Sequence, residues 1–128
     1  MMQGLADTSF FLAHETGRPI RGNAVPGRLG VSVVTIGELR AGVLSAADLE
    51  TRDRRLVTLT IAMGLDPRPV DSRAAEAWAR LRMILRRQNL RMPINDSWIA
   101  ATAMSLGVPV VTQDQDFVEV EGLSVIHV

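Results

Sequence analysis

Short apolar runs alternate with helix-patterned segments along this chain, and the runs lead into carboxylates. Gly4-Leu5-Ala6 gives way to Asp7. Val31-Ser32-Val33-Val34 is followed one helical turn later by Glu38. Val108-Pro109-Val110-Val111-Thr112 runs into Asp114 and Asp116. The last run is almost wholly apolar, as strands buried on both faces of a parallel sheet are. Strands alternating with helices imply an α/β layer structure with a mainly parallel central sheet flanked by helices. Ligands of such sheets bind beyond the carboxyl ends of the strands. Acids placed there in sequence, together with Asp96 in the first turn of a helix beginning near Asn95, can converge in space.

The remaining elements follow from periodicity and punctuation. A first strand is expected over residues 3–7 and a helix from Thr8 carrying Phe10, Phe11 and Leu12. The Gly- and Pro-rich stretch from Gly17 to Gly30 reads as a loop. Strand two is expected at 31–34, a helix at 35–45, and a third helix at 48–63 with Leu49, Leu56, Leu59 and Met63 at near-helical spacing. Pro67 and Pro69 end it, with Val70 as a brief strand. Ser72 is expected to cap a long helix to about Asn89, with Ala74, Ala77, Trp78, Leu81, Ile84 and Leu85 as its apolar stripe. Pro93-Ile94-Asn95 caps the next helix, which ends at Gly107. Residues 108–112 and 123–128 are the last strands. No repeat or long linker divides the 128 residues, which read as one domain, 1–128.

Each acid has an ordinary structural role to weigh. Asp7 suits an N-cap. Thr35-Ile36-Gly37-Glu38 matches a capping box in which Glu38 reaches back to the Thr35 amide. Asp96 favours its helix through the dipole, and Asp114 and Asp116 suit a turn. All five falling on one sheet edge is what favours a shared acidic site. Crowded carboxylates must protonate or be neutralised by a cation. The chain has no lysine, and its arginines lie elsewhere in the sequence. A hard divalent metal, which prefers oxygen ligands, is the natural neutraliser. The missing lysine also counts against haloacid-dehalogenase-like phosphatases, phospho-acceptor receiver domains and P-loop proteins, all of which need one.

Composition narrows the rest. With 47% hydrophobic and 22% charged residues the chain is globular rather than disordered. There are no cysteines, which excludes disulfides and thiolate chemistry and fits a reducing cytoplasm. No signal peptide and no apolar run of about 20 residues is visible, so no membrane role is expected. Net charge is zero, but arginines cluster at 52, 54 and 55 and at 80, 82, 86, 87 and 91. Arginine suits phosphodiesters, although exposed helix faces explain most of these, with Glu76 and Arg80 an i,i+4 pair. His14 and His127 do not suggest a metal pair. Trp78 and Trp98 read as core.

Four blocks in order, Leu5-Ala6-Asp7-Thr8-Ser9-Phe10-Phe11, Thr35-Ile36-Gly37-Glu38-Leu39-Arg40-Ala41-Gly42, Pro93 to Ala103, and Val111-Thr112-Gln113-Asp114-Gln115-Asp116-Phe117, resemble the PIN domain of VapC-type toxins. That resemblance implies a three-layer PIN-like fold and a Mg²⁺- or Mn²⁺-dependent ribonuclease, usually a homodimer, encoded beside a small antitoxin. By matching position it implies that Asp7, Glu38, Asp96, Asp114 and Asp116 hold metal and carry catalysis, with Ser9, Asn95 and Thr112 in support. It also implies an antitoxin segment over the site. An acidic pocket favours an arginine inserted among Asp7, Glu38 and Asp96, with a landing surface near Phe10, Phe11 and Leu39. The rivals are another metal-dependent nuclease or phosphoesterase and a non-catalytic PIN module. A neighbouring small antitoxin gene separates the toxin reading from both.

Overall fold

A computed structural model describes residues 1–128. Four strands form one all-parallel sheet in the order β2-β1-β3-β4: β1 (Gly4–Ala6), β2 (Leu29–Val31), β3 (Val110–Thr112) and β4 (Val125–His127). Five helices connect and cover them: α1 (Thr8–Thr16), α2 (Val33–Leu44), α3 (Leu49–Met63), α4 (Ser72–Arg87) and α5 (Ile94–Leu106). No helix is long and apolar enough to cross a membrane.

Each strand has three residues, so the sheet's two faces are set by single side chains. Leu5 joins a core made by Leu81 and Leu85 of α4, Ile99, Ala100 and Ala103 of α5, Val110, Phe117 and Leu123. Its neighbour Ala6 joins the opposite core, with Phe11, Val31, Leu39, Val43, Leu59 and Ala62 from α1, α2 and α3. Successive strand residues point to opposite faces. A central strand with apolar residues on both therefore requires helices on both, which gives the three layers.

Several boundaries move from those expected, each for a local reason. Strand two lies at 29–31, because Ser32 leaves the sheet to cap α2, its hydroxyl accepting from the Val34 amide at 3.0 Å. The Thr35–Glu38 capping box is therefore not formed, and both residues sit inside the helix. Asp71, not Ser72, caps α4, taking the Ala74 amide at 2.9 Å. The short bridge near residue 70 is made by Arg68 with Ser32 rather than by Val70. Within the expected loop Gly17–Gly30, residues 22–24 form a 3₁₀ turn and 29–31 the edge strand. Trp78 and Trp98 are not core. They are half-buried at the seam of α4 and α5, stacked at 4.3 Å with planes 1° apart. Gly107 ends α5 in the left-handed conformation, φ 67°, as its position suggested.

Gly4 fixes how closely β1 and β3 approach. A Cβ there would lie 2.7 Å from Cγ2 of Val111 and 3.3 Å from Cγ of Pro26. Val111 is buried and β-branched, so it cannot swing away. Gly4→Ala should cost about 1–3 kcal/mol, the usual range for overpacking. Gly37, inside α2 with open space at its Cβ position, should instead gain about 0.5–1 kcal/mol on replacement by Ala. Urea melts of the two variants check the opposite signs.

Candidate functional site

The sheet delivers Asp7 and Asp114 to the same edge. β1 and β3 are hydrogen-bonded neighbours, and the chain leaves β1 towards β2 on its other side. Asp7 directly follows β1 and Asp114 lies two residues beyond β3. α2 brings Glu38 and α5 brings Asp96 to this end.

Asp7 is 2% exposed, and three donors reach its carboxylate. Ser9 Oγ donates to both of its oxygens at 2.9 Å, Thr112 Oγ1 donates to Oδ2 at 2.7 Å, and the Phe10 amide donates to Oδ1 at 3.1 Å. The N-cap role is therefore real and coexists with the cradle. Each hydroxyl has a single proton, and both protons point at Asp7. The 3.1 Å approach of Ser9 to Thr112 is then a close contact rather than a third bond. The hydroxyl oxygens also accept: Ser9 from the Gln113 amide at 3.0 Å, Thr112 from the Asp114 amide at 2.8 Å. Thr112 thus couples Asp7 to the backbone that positions Asp114.

Asp114 Oδ1 in turn accepts the Asp116 amide at 2.8 Å, so this stretch is a turn as well as part of the acidic cluster. One carboxylate oxygen from each of Asp96, Asp114 and Asp116 lies within 4.8 Å of the others. Asp7 and Glu38 stand outside that triplet, although Asp96 feels the charge of both. None of the three ion pairs of the structure, Arg54–Glu15, Arg68–Asp66 and Arg80–Glu76, involves any of the five acids.

Glu38 is held by a second set of hydroxyls. Thr8 Oγ1 donates to Glu38 Oε1 at 2.7 Å and lies 3.0 Å from Thr35 Oγ1. With the Thr8 proton spent on Glu38, Thr35 must be the donor of that second bond. Asn95 Nδ2 reaches the other oxygen of Glu38 at 3.4 Å. Asn95 therefore braces Glu38 and does not cap α5. Thr8, Thr35 and Gln113 escape sequence reasoning. Thr35 carried a signal, its match to a capping box, but that signal pointed to the wrong partner.

The electrostatics follow from burial and crowding. Burial raises the Asp7 carboxyl above its ordinary value, against the pull of Thr112, Ser9 and the Phe10 amide, and Asp114 adds to the rise. Burial first, then the charges of Asp114, Asp7, Glu38 and Asp116, push Asp96 up to about 7. All ligand atoms are oxygens, the negative charge is uncompensated, and no cationic side chain pairs with it. This donor set fits a hard divalent cation.

Beside Glu38 a groove of about 540 Å³ opens between α1 and α2, lined among others by Thr8, Leu12, Glu15, Glu38 and Arg55. Of the residues expected on a partner's landing surface, Leu39 belongs to the core and also lines this groove, whereas Phe11 belongs to the core and does not. Leu12, 44% exposed, takes the place of Phe11 on the groove wall.

Comparison with known proteins bears on the family and the fold. The PIN domain family model matches residues 5–123. The chain is 45% identical over 125 residues to Ribonuclease VapC5 of Mycobacterium tuberculosis, spanning 98% of this chain and 93% of that protein. It is also 45% identical over 126 residues to Ribonuclease VapC4 of the same organism, spanning 98% and 97%. A crystal structure of VapBC-5, a member of the VapBC family of toxin–antitoxin systems from M. tuberculosis, superposes with a TM-score of 0.91 at 41% identity over all of both chains.

The sign of the pH dependence is fixed by the raised carboxyls. In chelator, folded Asp96 holds its proton up to about 7, whereas the unfolded side chain releases it near 3.8. Between these values the folded state binds more protons, so stability is full below the lower one and is lost as pH rises through the upper. Asp7 works in the same direction. Urea melts at pH 5 and pH 8 should show the lower midpoint at pH 8, and Asp96→Asn should shrink the difference. A higher midpoint at pH 8 would contradict the arrangement.

Proposed function

This chain belongs to the PIN-domain family, in the group of the VapC proteins, and from that premise we propose that it is a metal-dependent endoribonuclease acting as the toxin of a toxin–antitoxin pair. The observation that carries the reading is the meeting of Asp96, Asp114 and Asp116 at one point with no cationic partner. In this reading those three, with Asp7 and Glu38, hold Mg²⁺ or Mn²⁺, and residues 1–128 act as one domain. When bound, such a cation lowers the pKa of water and neutralises charge developing on a phosphate.

The side chains divide the remaining work. Ser9 and Thr112 orient Asp7 and favour its ionised form against the effect of burial. Thr112 ties that orientation to Asp114 through the Asp114 amide. Thr35 and Thr8 aim one oxygen of Glu38, and Asn95 braces the other. Asp96, its carboxyl raised to about 7 by burial and by the neighbouring acids, is a group whose charged form a bound cation would favour. An empty cluster of this charge repels RNA, so the cation serves substrate binding as well as hydrolysis.

Cleavage of RNA by the purified chain should disappear in EDTA and return with Mg²⁺ or Mn²⁺. Full activity of metal-stripped protein in chelator would end the metal-dependent reading. Asp96→Asn should abolish cleavage while leaving the fold intact or stabilised. Thr8→Val should cut cleavage by about 10- to 100-fold, the usual loss when a group bracing a metal ligand is removed, and Thr8→Ser should largely restore it.

The proposed antitoxin binds the groove beside Glu38, with a basic side chain entering the acidic site. Expression of the chain alone should slow growth, and co-expression of a small adjacent gene should restore it. Harmless expression of soluble, active protein in its native host would leave the nuclease and remove the toxin.

A further inference from the structure

Between Ala77 and Asn95 the sequence holds five arginines and no acid, although the whole chain is neutral. This is the second half of α4 and the connection into α5, and it ends at Asp96. Three of the arginines, Arg82, Arg86 and Arg91, line one groove of about 240 Å³ with Leu85, Leu90 and Met92. All three are exposed, and none pairs with a carboxylate. The other two are placed differently: Arg80 pairs with Glu76, and Arg87 lines a separate depression with Met83 and Ile84.

The groove is organised rather than merely charged. The Arg82 guanidinium lies 5.0 Å over the ring of Trp78, which stacks on Trp98 of α5. The indole N–H of Trp78 donates to Ser97 Oγ at 3.0 Å. Ser97 is the residue after Asp96, so the platform beneath Arg82 is bolted to the turn that carries Asp96. A guanidinium held over an aromatic ring still has N–H groups to offer an anion. The helix dipole accounts for some preference for cations at the end of α4. It does not account for Arg91, beyond the helix, or for Arg82, more than a turn before its end.

We propose that the Arg82–Arg86–Arg91 groove binds the phosphodiester backbone of single-stranded RNA and leads it along the Met92–Asn95 connection to the acidic site. This rests on the nuclease reading above and names where its substrate is held. The assignment eases an electrostatic difficulty: five acids repel a polyanion, and a cationic track beside them adds attraction to that of the bound cation. Contacts to the backbone position a strand without selecting its sequence.

The test is fluorescence anisotropy with a labelled single-stranded RNA, on the full chain carrying Asp96→Asn to stop cleavage. Three exposed arginines are replaced in the groove (Arg82→Gln, Arg86→Gln, Arg91→Gln) or, as a control for net charge, outside it (Arg28→Gln, Arg52→Gln, Arg73→Gln). Circular dichroism melts establish that both are folded. The groove variant should bind at least about tenfold more weakly. Its log–log salt slope should fall by about 2, as three lost single-strand phosphate contacts require. The control should stay within about twofold. Arg82→Lys, which keeps charge but loses the stacked fork, should fall between.

Equal losses in both triple variants, or no loss in the groove variant, overturn the groove. So does a groove variant that binds RNA normally but no longer binds a protein partner. If the unmutated chain cleaves RNA while the groove variant binds as before, the nuclease reading stands and the groove alone fails. If the unmutated chain neither binds nor cleaves RNA, both fall.

Discussion

A buried carboxylate sets the terms for this molecule. Asp7 is nearly sealed from water, and an ionised side chain in that position is costly unless donors replace its hydration. Two hydroxyls and one amide supply them, from α1 and from the end of β3. The bonds exist only while β1 and β3 stay in register and α1 starts where it does. The same contacts that offset part of the cost of burying Asp7 therefore hold the end of the sheet together. Gly4, three residues earlier, allows the two strands the necessary approach.

The other acids are treated in the opposite way. Asp96, Asp114 and Asp116 gather with no arginine among them, and Asp96 carries the result as a carboxyl raised to about 7. A chain with fourteen arginines that leaves this cluster unpaired keeps an unfavourable concentration of like charge there. Its arginines are spent on other faces, five of them in the segment that leads to Asp96. Negative charge is thus concentrated at the sheet edge and positive charge along its approach.

Most of the architecture was legible because the sheet is parallel and buried. Val110 and Val111 have no polar neighbour facing water, and α5 carries both a proline before it and a glycine after it. The five acids were legible for the same reason, since a strand end fixes where the next residue goes. What was not legible depends on competition between nearby groups. Ser32 and Thr35 are both good caps; Ser32 won, and Thr35 was released to bond Thr8. Asp71 outcompeted Ser72 in the same way. Trp78 and Trp98 share the apolar character of core residues, but their hydrophobic pattern gave no sign that they meet each other at the surface seam.

The two cores on opposite faces of the sheet have a mechanical consequence. Glu38 is carried by the layer of α1, α2 and α3, and Asp96 by the layer of α4 and α5. The acidic site therefore straddles two bodies joined through a sheet only three residues deep. Its spacing is a gauge of how those bodies sit, and the 3.4 Å contact of Asn95 with Glu38 is the longest of the hydrogen bonds that reach these acids. A molecule gripping the outer surface of either layer would act as a lever on the gap between Glu38 and Asp96.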